Sequence, residues 1–333
     1  MKTQGIQISN PYHWKYFYKR MFFFKRFLGP AIDHKIVVSL GDKCVETLTR
    51  DGVGLFSHVE IETINRCNFS CSFCPVNKNA DKRDFAEMSD SVFERIVGGL
   101  AELSYSGRIA LHSNNEPLLD QNIVERVRHA KASCPEAYVF LYTNGTLLNT
   151  AKALALIEAG IDQIRIDNYN DNLELLANLK KLVVDFSGPE HQEHADKIVI
   201  FLRKINEVLS SRGGEAPNKS AQTHTSYQYY QDASCRFPFT QLVIRPDGKV
   251  SLCCNDAYGK VTMGDVMRQT LSEIWFGEEF AALRTELMTV GRKRLGICNT
   301  CDVHSIDSRV LLADSLVLRV ANRLFRFSSW NWK

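Results

Sequence analysis

No stretch of the 333-residue chain approaches the roughly 18 uninterrupted apolar residues that mark a bilayer-spanning helix. The apolar stretch near the N-terminus is broken by charges and has no small-residue cleavage site, so it is not read as a secretory signal. Cysteine is scarce: ten residues, too few to staple a small disulfide scaffold. Neither an internal repeat nor a low-complexity tract is present, and the net charge is only +3. With 44% apolar and 24% charged residues, disordered and collagen-like classes are excluded. The length predicts roughly two domains of about 150 residues each.

The small net charge conceals an uneven distribution. Residues 1–35 carry seven Lys/Arg and one Asp, a balance of +6; residues 309–333 carry five and one, a balance of +4; the middle is left at −7. Cysteines are uneven too. Three fall within eight residues (Cys67, Cys71, Cys74), and five lie between Cys235 and Cys301.

Residues 58–64 (HVEIETI) alternate like a half-buried strand and lead straight into the cysteine trio. Helix-like and strand-like runs then alternate: helix 91–103 with Ser89 or Asp90 as cap, strand 108–112, helix 120–132, strand 137–142, helix 151–159 capped by Thr150 and ended by Gly160, strand 161–167, helix 171–184 and strand 197–202. This alternation predicts a parallel α/β sheet or barrel. The Gly-, Ser- and Gln-rich stretch 210–234 marks a boundary. Beyond it, 240–252 reads as a hairpin about Pro246-Asp247-Gly248, and 270–288 as a helix.

Cys67-Asn-Phe-Ser-Cys71-Ser-Phe-Cys74 has the spacing C-x3-C-x2-C in the loop after the first strand of the α/β unit. Three thiolates this close can hold three irons of a cubane and leave the fourth open for a substrate or cofactor. A structural zinc site would want four ligands, and no fourth Cys or His lies nearby. This loop resembles that of the radical SAM superfamily. The resemblance implies that the trio holds a 4Fe–4S cluster and that S-adenosylmethionine (SAM) chelates the open iron. It further implies reductive cleavage to a 5′-deoxyadenosyl radical, with electrons from a reductant such as flavodoxin or ferredoxin. It places Phe73 near the adenine. Asn114-Asn115-Glu116-Pro117 stands where the family carries a Gly-Gly-Glu-Pro-like motif, so Asn115 and Glu116 are expected at the cofactor, with Glu116 accepting from the SAM amino group. Tyr142-Thr143-Asn144-Gly145 resembles the family's T-N-G segment, which implies Thr143 and Asn144 near the methionyl and ribose groups. Asp167, at a strand end with Asn168, is a further cofactor candidate, the alternative being a turn or cap.

The second set is C-x12-G-x4-C (Cys235, Gly248, Cys253) followed by Cys298-Asn-Thr-Cys301. Its chemistry alone leaves Zn(Cys)4 open. The pattern resembles the SPASM/twitch extension of radical SAM enzymes, as do Met263-Gly264-Asp265-Val266 and Leu271–Trp275. No cysteine follows Cys301, which implies one auxiliary 4Fe–4S cluster rather than two. Cys254 is left open as a buried thiol, an alternative ligand or a hydrogen-atom donor. Cys44 and Cys134 read as ordinary thiols in a reducing cytosol.

The expected fold is α/β: a partial (β/α)6 TIM-like barrel, trimmed because only about ten residues separate strand 197–202 from Arg212-Gly213-Gly214, with a small hairpin-plus-helix extension. The expected division is a basic aromatic appendage (1–55), the radical SAM core (56–214), the auxiliary-cluster domain (215–305) and a basic amphipathic C-terminal helix (306–333). A closed four-thiolate cluster suits electron relay or a structural role. One closed cluster resembles the arrangement in 2-deoxy-scyllo-inosamine dehydrogenases, and a 55-residue N-terminal segment is short for a peptide-binding domain. The leading expectation is therefore redox or rearrangement chemistry at a C–H bond of a sugar- or cyclitol-like small molecule. The alternatives are modification of a peptide or protein side chain, and a non-catalytic iron–sulfur or zinc-stabilised binding protein. His112, Asn168, Tyr169, Arg203 and Arg212 are candidate polar groups near the pocket, with no base singled out. The basic segments 12–27 and 311–327 fit packing on the domain surface, contact with an anionic membrane face, or a protein or nucleic-acid partner. No nucleic-acid-binding motif accompanies them.

Overall fold

A computed structural model describes residues 5–10, 38–219 and 231–303. Segments 12–27 and 311–327, and the part of the boundary stretch at 220–230, lie outside the described residues. Among the described residues nine strands form one sheet: β1 (Gln7–Ser9), β2 (His58–Ile61), β3 (Arg108–Ala110), β4 (Tyr138–Thr143), β5 (Gln163–Tyr169), β6 (Ile198–Arg203), β7 (Gln241–Ile244), β8 (Lys249–Ser251) and β9 (Thr262–Asp265). Their spatial order is β1-β6-β5-β4-β3-β2-β7-β8-β9. Pairing is parallel from β1 through β7 and antiparallel from β7 through β9. The result is the expected open α/β architecture, a partial TIM-like barrel with a C-terminal extension.

Helices α1 (Asp90–Glu102), α2 (Ile123–Ser133), α3 (Thr150–Glu158) and α4 (Ala177–Asp185) follow the strands in turn. In α1, Val92, Phe93, Ile96, Val97 and Leu100 recur at helical spacing and are buried, and Ser89 Oγ caps the helix by accepting from Val92 N at 3.3 Å. These apolar rows meet Val59, Ile61, Ile109, Val139, Leu141, Ile164 and Ile166 on one face of the sheet in a common core. Because side chains alternate along a strand, the other face carries His58, Glu60, His112, Tyr142, Arg165 and Asp167. The inner face of the partial barrel is polar, and the strand ends deliver polar groups to its mouth.

Several expectations are corrected. Helix 120–132 starts at Ile123 because Glu116 first caps a 3-10 turn at Pro117–Leu119. The cap of α3 is Asn149, whose Oδ1 accepts from Lys152 N at 2.8 Å, and Thr150 is the first helical residue. The helix expected from 171 starts at Ala177, because Asn168 bonds Glu174 O and Leu176 N at 2.9 Å each and holds the intervening chain as a loop. The single helix 270–288 is two, α5 (Leu271–Phe276) and α6 (Glu278–Thr289), separated where Gly277 turns extended with ψ 173°.

The hairpin about Pro-Asp-Gly is present. Gly248 takes φ +81°, a conformation L side chains rarely adopt, and closes β7 onto β8. Two parts of the N-terminal segment join the body. Strand β1 pairs in parallel with β6, Gln7 opposite Val199 and Ser9 opposite Phe201. Residues 38–49 are helical, with Val45 in the core and Asp42 accepting from Ser234 N at 3.1 Å. The reading of residues 1–55 as an appendage did not anticipate either. Among the described residues no helix is long and apolar enough to cross a membrane.

Candidate active site

The chain leaving β2 enters the loop of Cys67, Cys71 and Cys74. Main-chain turns and one asparagine shape it. Asn77 Nδ2 donates to the carbonyls of Cys71 (3.1 Å) and Cys74 (2.7 Å), and Lys78 N donates to Phe69 O at 2.9 Å. Ser72 N donates to Ile205 O at 3.2 Å, fastening the loop to the segment after β6. Arg83, paired with Glu62 at 2.9 Å, donates to the carbonyls of Asn65 and Asn114 at 3.0 Å and ties β2 to the next loop. The three sulfurs lie close enough to raise one another's pKa. Burial, then repulsion from Glu116 and Cys74, pushes the Cys67 thiol up to about 12, and Cys71 and Cys74 are raised by burial as well.

Glu116, expected at the SAM amino group, is buried and engaged by the chain itself. Thr143 Oγ1 donates to Oε1 at 2.6 Å, Leu118 N to Oε1 at 3.0 Å and Asn144 N to Oε2 at 2.7 Å. It thereby locks the loop after β3 to the T-N-G turn after β4. Thr143 Oγ1 accepts from Gly145 N at 3.0 Å. Gly145 has φ +76°, and a Cβ there would lie 2.7 Å from Ile166 Cγ2, so the turn requires glycine. Asn144 Nδ2 donates to Asn68 Oδ1 at 2.8 Å and reaches Cys67 Sγ at 3.9 Å. Asn115 Oδ1 accepts from Ser113 N at 2.9 Å, while its Nδ2 is buried without a hydrogen-bond partner.

Phe73 and Phe69 both pack on Tyr169, with ring centroids 5.8 and 5.6 Å apart. Asp167, on the inner face of β5, accepts from the Tyr169 hydroxyl at 3.5 Å and adds to the potential that raises Cys71. Asn168 points the other way and serves the loop before α4. The other candidates are placed as follows. His112 Nδ1 accepts from Tyr142 N at 3.1 Å, Arg203 grips Glu207 through two bonds of 2.8 and 3.0 Å, and Arg212 bonds Asn114 Oδ1.

The second set assembles at the β7–β8 edge. Cys235 precedes the turn into β7, Cys253 follows β8, Cys298 lies in a short helix (Gly296–Asn299) and Cys301 just after it. Each of Cys235, Cys298 and Cys301 acts electrostatically on Cys253, whose thiol burial raises well above the ordinary range. Cys254, next in the chain, acts on Cys253 as well. The remaining two cysteines, Cys44 and Cys134, are buried apart, and none of the ten is in a disulfide.

The donor sets fit iron–sulfur clusters. A zinc centre would draw four thiolates to about 2.3 Å, whereas a cubane spreads its ligands over several irons. Buried thiols with raised pKa values need a cationic core to hold them as thiolates. Cys67 Sγ already receives Phe69 N at 3.4 Å.

Sequence reasoning missed a polar chain linking the two sites. Gln241 on β7 donates to Glu60 Oε1 on β2 at 2.8 Å and accepts from Cys254 N at 3.3 Å. Ser113 Oγ donates to Glu60 Oε2 at 2.7 Å, and Asn114 Nδ2 donates to Cys254 O at 3.2 Å. The alternation of His58, Glu60 and Glu62 was the available signal: a strand with apolar residues toward the core and acids on the other face.

A three-thiol loop at the mouth of a partial α/β barrel, with a four-thiol site on the adjoining sheet edge, defines an iron–sulfur enzyme that uses SAM. Two family models match: the radical SAM superfamily over residues 61–167 and the SPASM iron–sulfur cluster-binding domain over residues 235–302. The chain belongs to the radical SAM superfamily, and its cofactors are 4Fe–4S clusters and SAM. It is similar to the S-adenosyl-L-methionine-dependent 2-deoxy-scyllo-inosamine dehydrogenase of Niallia circulans, 28% identical over 76% of this chain and 96% of that one. The solved structure of BtrN in complex with AdoMet and 2-DOIA superposes with a TM-score of 0.62 at 28% identity, over 75% of this chain and 94% of that one. A PqqA peptide cyclase of Gluconobacter oxydans is 33% identical, over only 32% of this chain and 28% of its own.

Proposed function

We propose that this radical SAM enzyme oxidises a C–H bond of a small polyhydroxylated substrate of the cyclitol or sugar class, and that Cys235, Cys253, Cys298 and Cys301 hold one auxiliary 4Fe–4S cluster. The observation that carries the reading is the direct seam between the two thiol sites: β7 pairs with β2 from His58 opposite Gln241 to Ile61 opposite Ile244. An auxiliary redox centre built against the radical-forming loop suits removal of an electron from the substrate. The likeness to the inosamine dehydrogenase, along nearly its full length, supports the substrate class. The peptide-cyclase likeness spans a third of the chain and gives the peptide-modifying alternative less support.

When bound, the Cys67/Cys71/Cys74 cluster and SAM supply a 5′-deoxyadenosyl radical. The chain's own residues then do the positioning. Phe73, Asn115, Glu116, Thr143, Asn144 and Asp167 form the cofactor site in this reading. Phe73 gives an apolar wall backed by Tyr169, and Asn115 offers the buried, unpartnered Nδ2. Glu116 shapes the site from behind by fixing Thr143 and Asn144. The polar inner face, with Arg165 Nη1 donating to the Tyr142 hydroxyl at 2.9 Å, suits hydroxyl-bearing substrates. The working division is 1–55, 56–214, 215–305 and 306–333, with strand β1 lent to the core. Ten cysteines outside any disulfide suit a reducing cytosol that also supplies a flavodoxin- or ferredoxin-like reductant.

The test is anaerobic incubation of the reconstituted enzyme with SAM, reductant and a panel of cyclitols and aminocyclitols. The expected result is substrate-dependent 5′-deoxyadenosine with a product lighter by two hydrogens. A product isomeric with its substrate would contradict the oxidation.

A further inference from the structure

Among the described residues Arg292 is the largest fully buried charged side chain, and the proposed chemistry does not use it. Its side chain is almost fully enclosed, at 1% relative exposure. Nη1 donates to Val303 O at 2.6 Å and to Cys301 O at 3.4 Å, and Nη2 donates to Ser234 O at 3.2 Å. These carbonyls bracket the four-thiol site: Ser234 precedes Cys235, and Cys301 and Val303 lie at its other wall. Nε is buried with no hydrogen-bond partner, and among the described residues no carboxylate pairs with the guanidinium. Asp302 and Asp232, its nearest acidic neighbours along these segments, are taken by Lys219 and Lys293.

Carbonyl oxygens satisfy hydrogens but do not cancel a charge, and an isolated buried cation is expensive. The anionic groups that the fold sets beside this guanidinium are the cysteines whose main chain it holds, Cys301 at its own carbonyl and Cys235 next to the Ser234 carbonyl. The counter-charge is therefore the sulfur set itself.

We propose that Arg292 is the charge-compensating residue of the auxiliary centre and raises the reduction potential of the cluster bound there, making it a better electron acceptor. This rests on the reading of Cys235, Cys253, Cys298 and Cys301 as cluster ligands. A four-thiolate 4Fe–4S cluster is a net dianion that becomes a trianion on accepting one electron. A fixed cation in a low-dielectric site favours the more negative state, and Nε–H is free to donate to a cluster sulfur, which acts in the same direction. The balance is simple. The cluster gains one electron from the donor, the donor is oxidised by one electron, and Arg292 keeps its proton throughout.

The test uses the full chain with Cys67, Cys71 and Cys74 all changed to Ala, so that only the auxiliary site loads. After anaerobic reconstitution, iron and zinc are counted and the midpoint potential is read by electron paramagnetic resonance against a graded reductant. Arg292→Met is expected to lower the affinity for the electron at least tenfold, about 59 mV for one electron. Arg292→Lys, which keeps the charge, is expected to stay closer to the parent than that. An iron-loaded Arg292→Met protein with the parent's potential overturns the role of Arg292 and leaves the cluster assignment standing. Zinc in place of iron in the parent overturns both. If Arg292→Met does not retain the centre, a tenfold loss in Arg292→Lys sinks the charge argument by itself.

Discussion

The Tyr258 hydroxyl donates to the carbonyl oxygen of Pro75 at 2.9 Å. Pro75 directly follows Cys74, and Tyr258 lies in the loop just after Cys253 and Cys254. The bond therefore closes the seam between the three-thiol loop and the four-thiol domain from the side opposite Gln241 and Glu60. Together with Asn114, which spans to Cys254 O, it makes the two sites neighbours by construction rather than by flexible tethering.

Removing that hydroxyl tests the seam. Tyr258→Phe loses one neutral hydrogen bond while keeping the ring, so a loss of about 1 kcal/mol in unfolding free energy is expected. Denaturant titration of the two proteins measures it. Unchanged stability would mean that the Pro75 carbonyl is equally well served without Tyr258.

The lock at Glu116 has a pH signature. Burial raises its carboxyl from 4.5 to about 7, against the lowering pull of hydrogen bonds from Thr143, Asn144 and Leu118. Between those values the native state holds a proton that the unfolded chain has released, so its stabilising contribution is complete below about pH 4.5 and is lost as pH rises through 7. At about 1.4 kcal/mol for each pH unit, the effect is of the order of 3 kcal/mol. Cluster-free wild-type protein should lose stability between pH 5 and pH 8 more steeply than Glu116→Gln. Parallel profiles for the two would refute a titrating Glu116.

Asn144 joins the lock to the three-thiol loop: its main-chain N donates to Glu116 Oε2, and its Nδ2 reaches Cys67 Sγ at 3.9 Å. Asn144→Leu preserves its size but removes the donors to Asn68 Oδ1 and Cys67 Sγ. Partners at this remove from a metal centre typically account for about 10–100-fold in affinity or activity. SAM cleavage per loaded cluster should fall by that factor. A rate within twofold of wild type would deny Asn144 this role.

Much of this was legible in the sequence because it is local. Alternation in HVEIETI, helical spacing in 91–103, Pro-Asp-Gly and the cysteine spacings all declare themselves within a few residues. The misses are those set by distant partners. Nothing in Gln7–Ser9 announces that it will pair with Val199–Phe201. The late start of α4 depends on Asn168 reaching forward to Leu176. Arg292 sits in Gly-Arg-Lys-Arg, a run that reads as a solvated face, and only the fold turns it inward. Glu116 was recognised as a site residue by its motif, but its grip on Thr143 and Asn144 depends on β3 and β4 lying side by side.

Anaerobic reconstitution with iron, sulfide, SAM and reductant tests the central claim most directly. The account predicts about eight irons and eight sulfides per chain, two cubanes' worth, and formation of 5′-deoxyadenosine. Changing Cys67, Cys71 and Cys74 together to Ala should leave about four irons, one cubane, and abolish SAM cleavage. Wild-type protein that loads its clusters yet yields no 5′-deoxyadenosine, or a triple variant that still cleaves SAM, would contradict it.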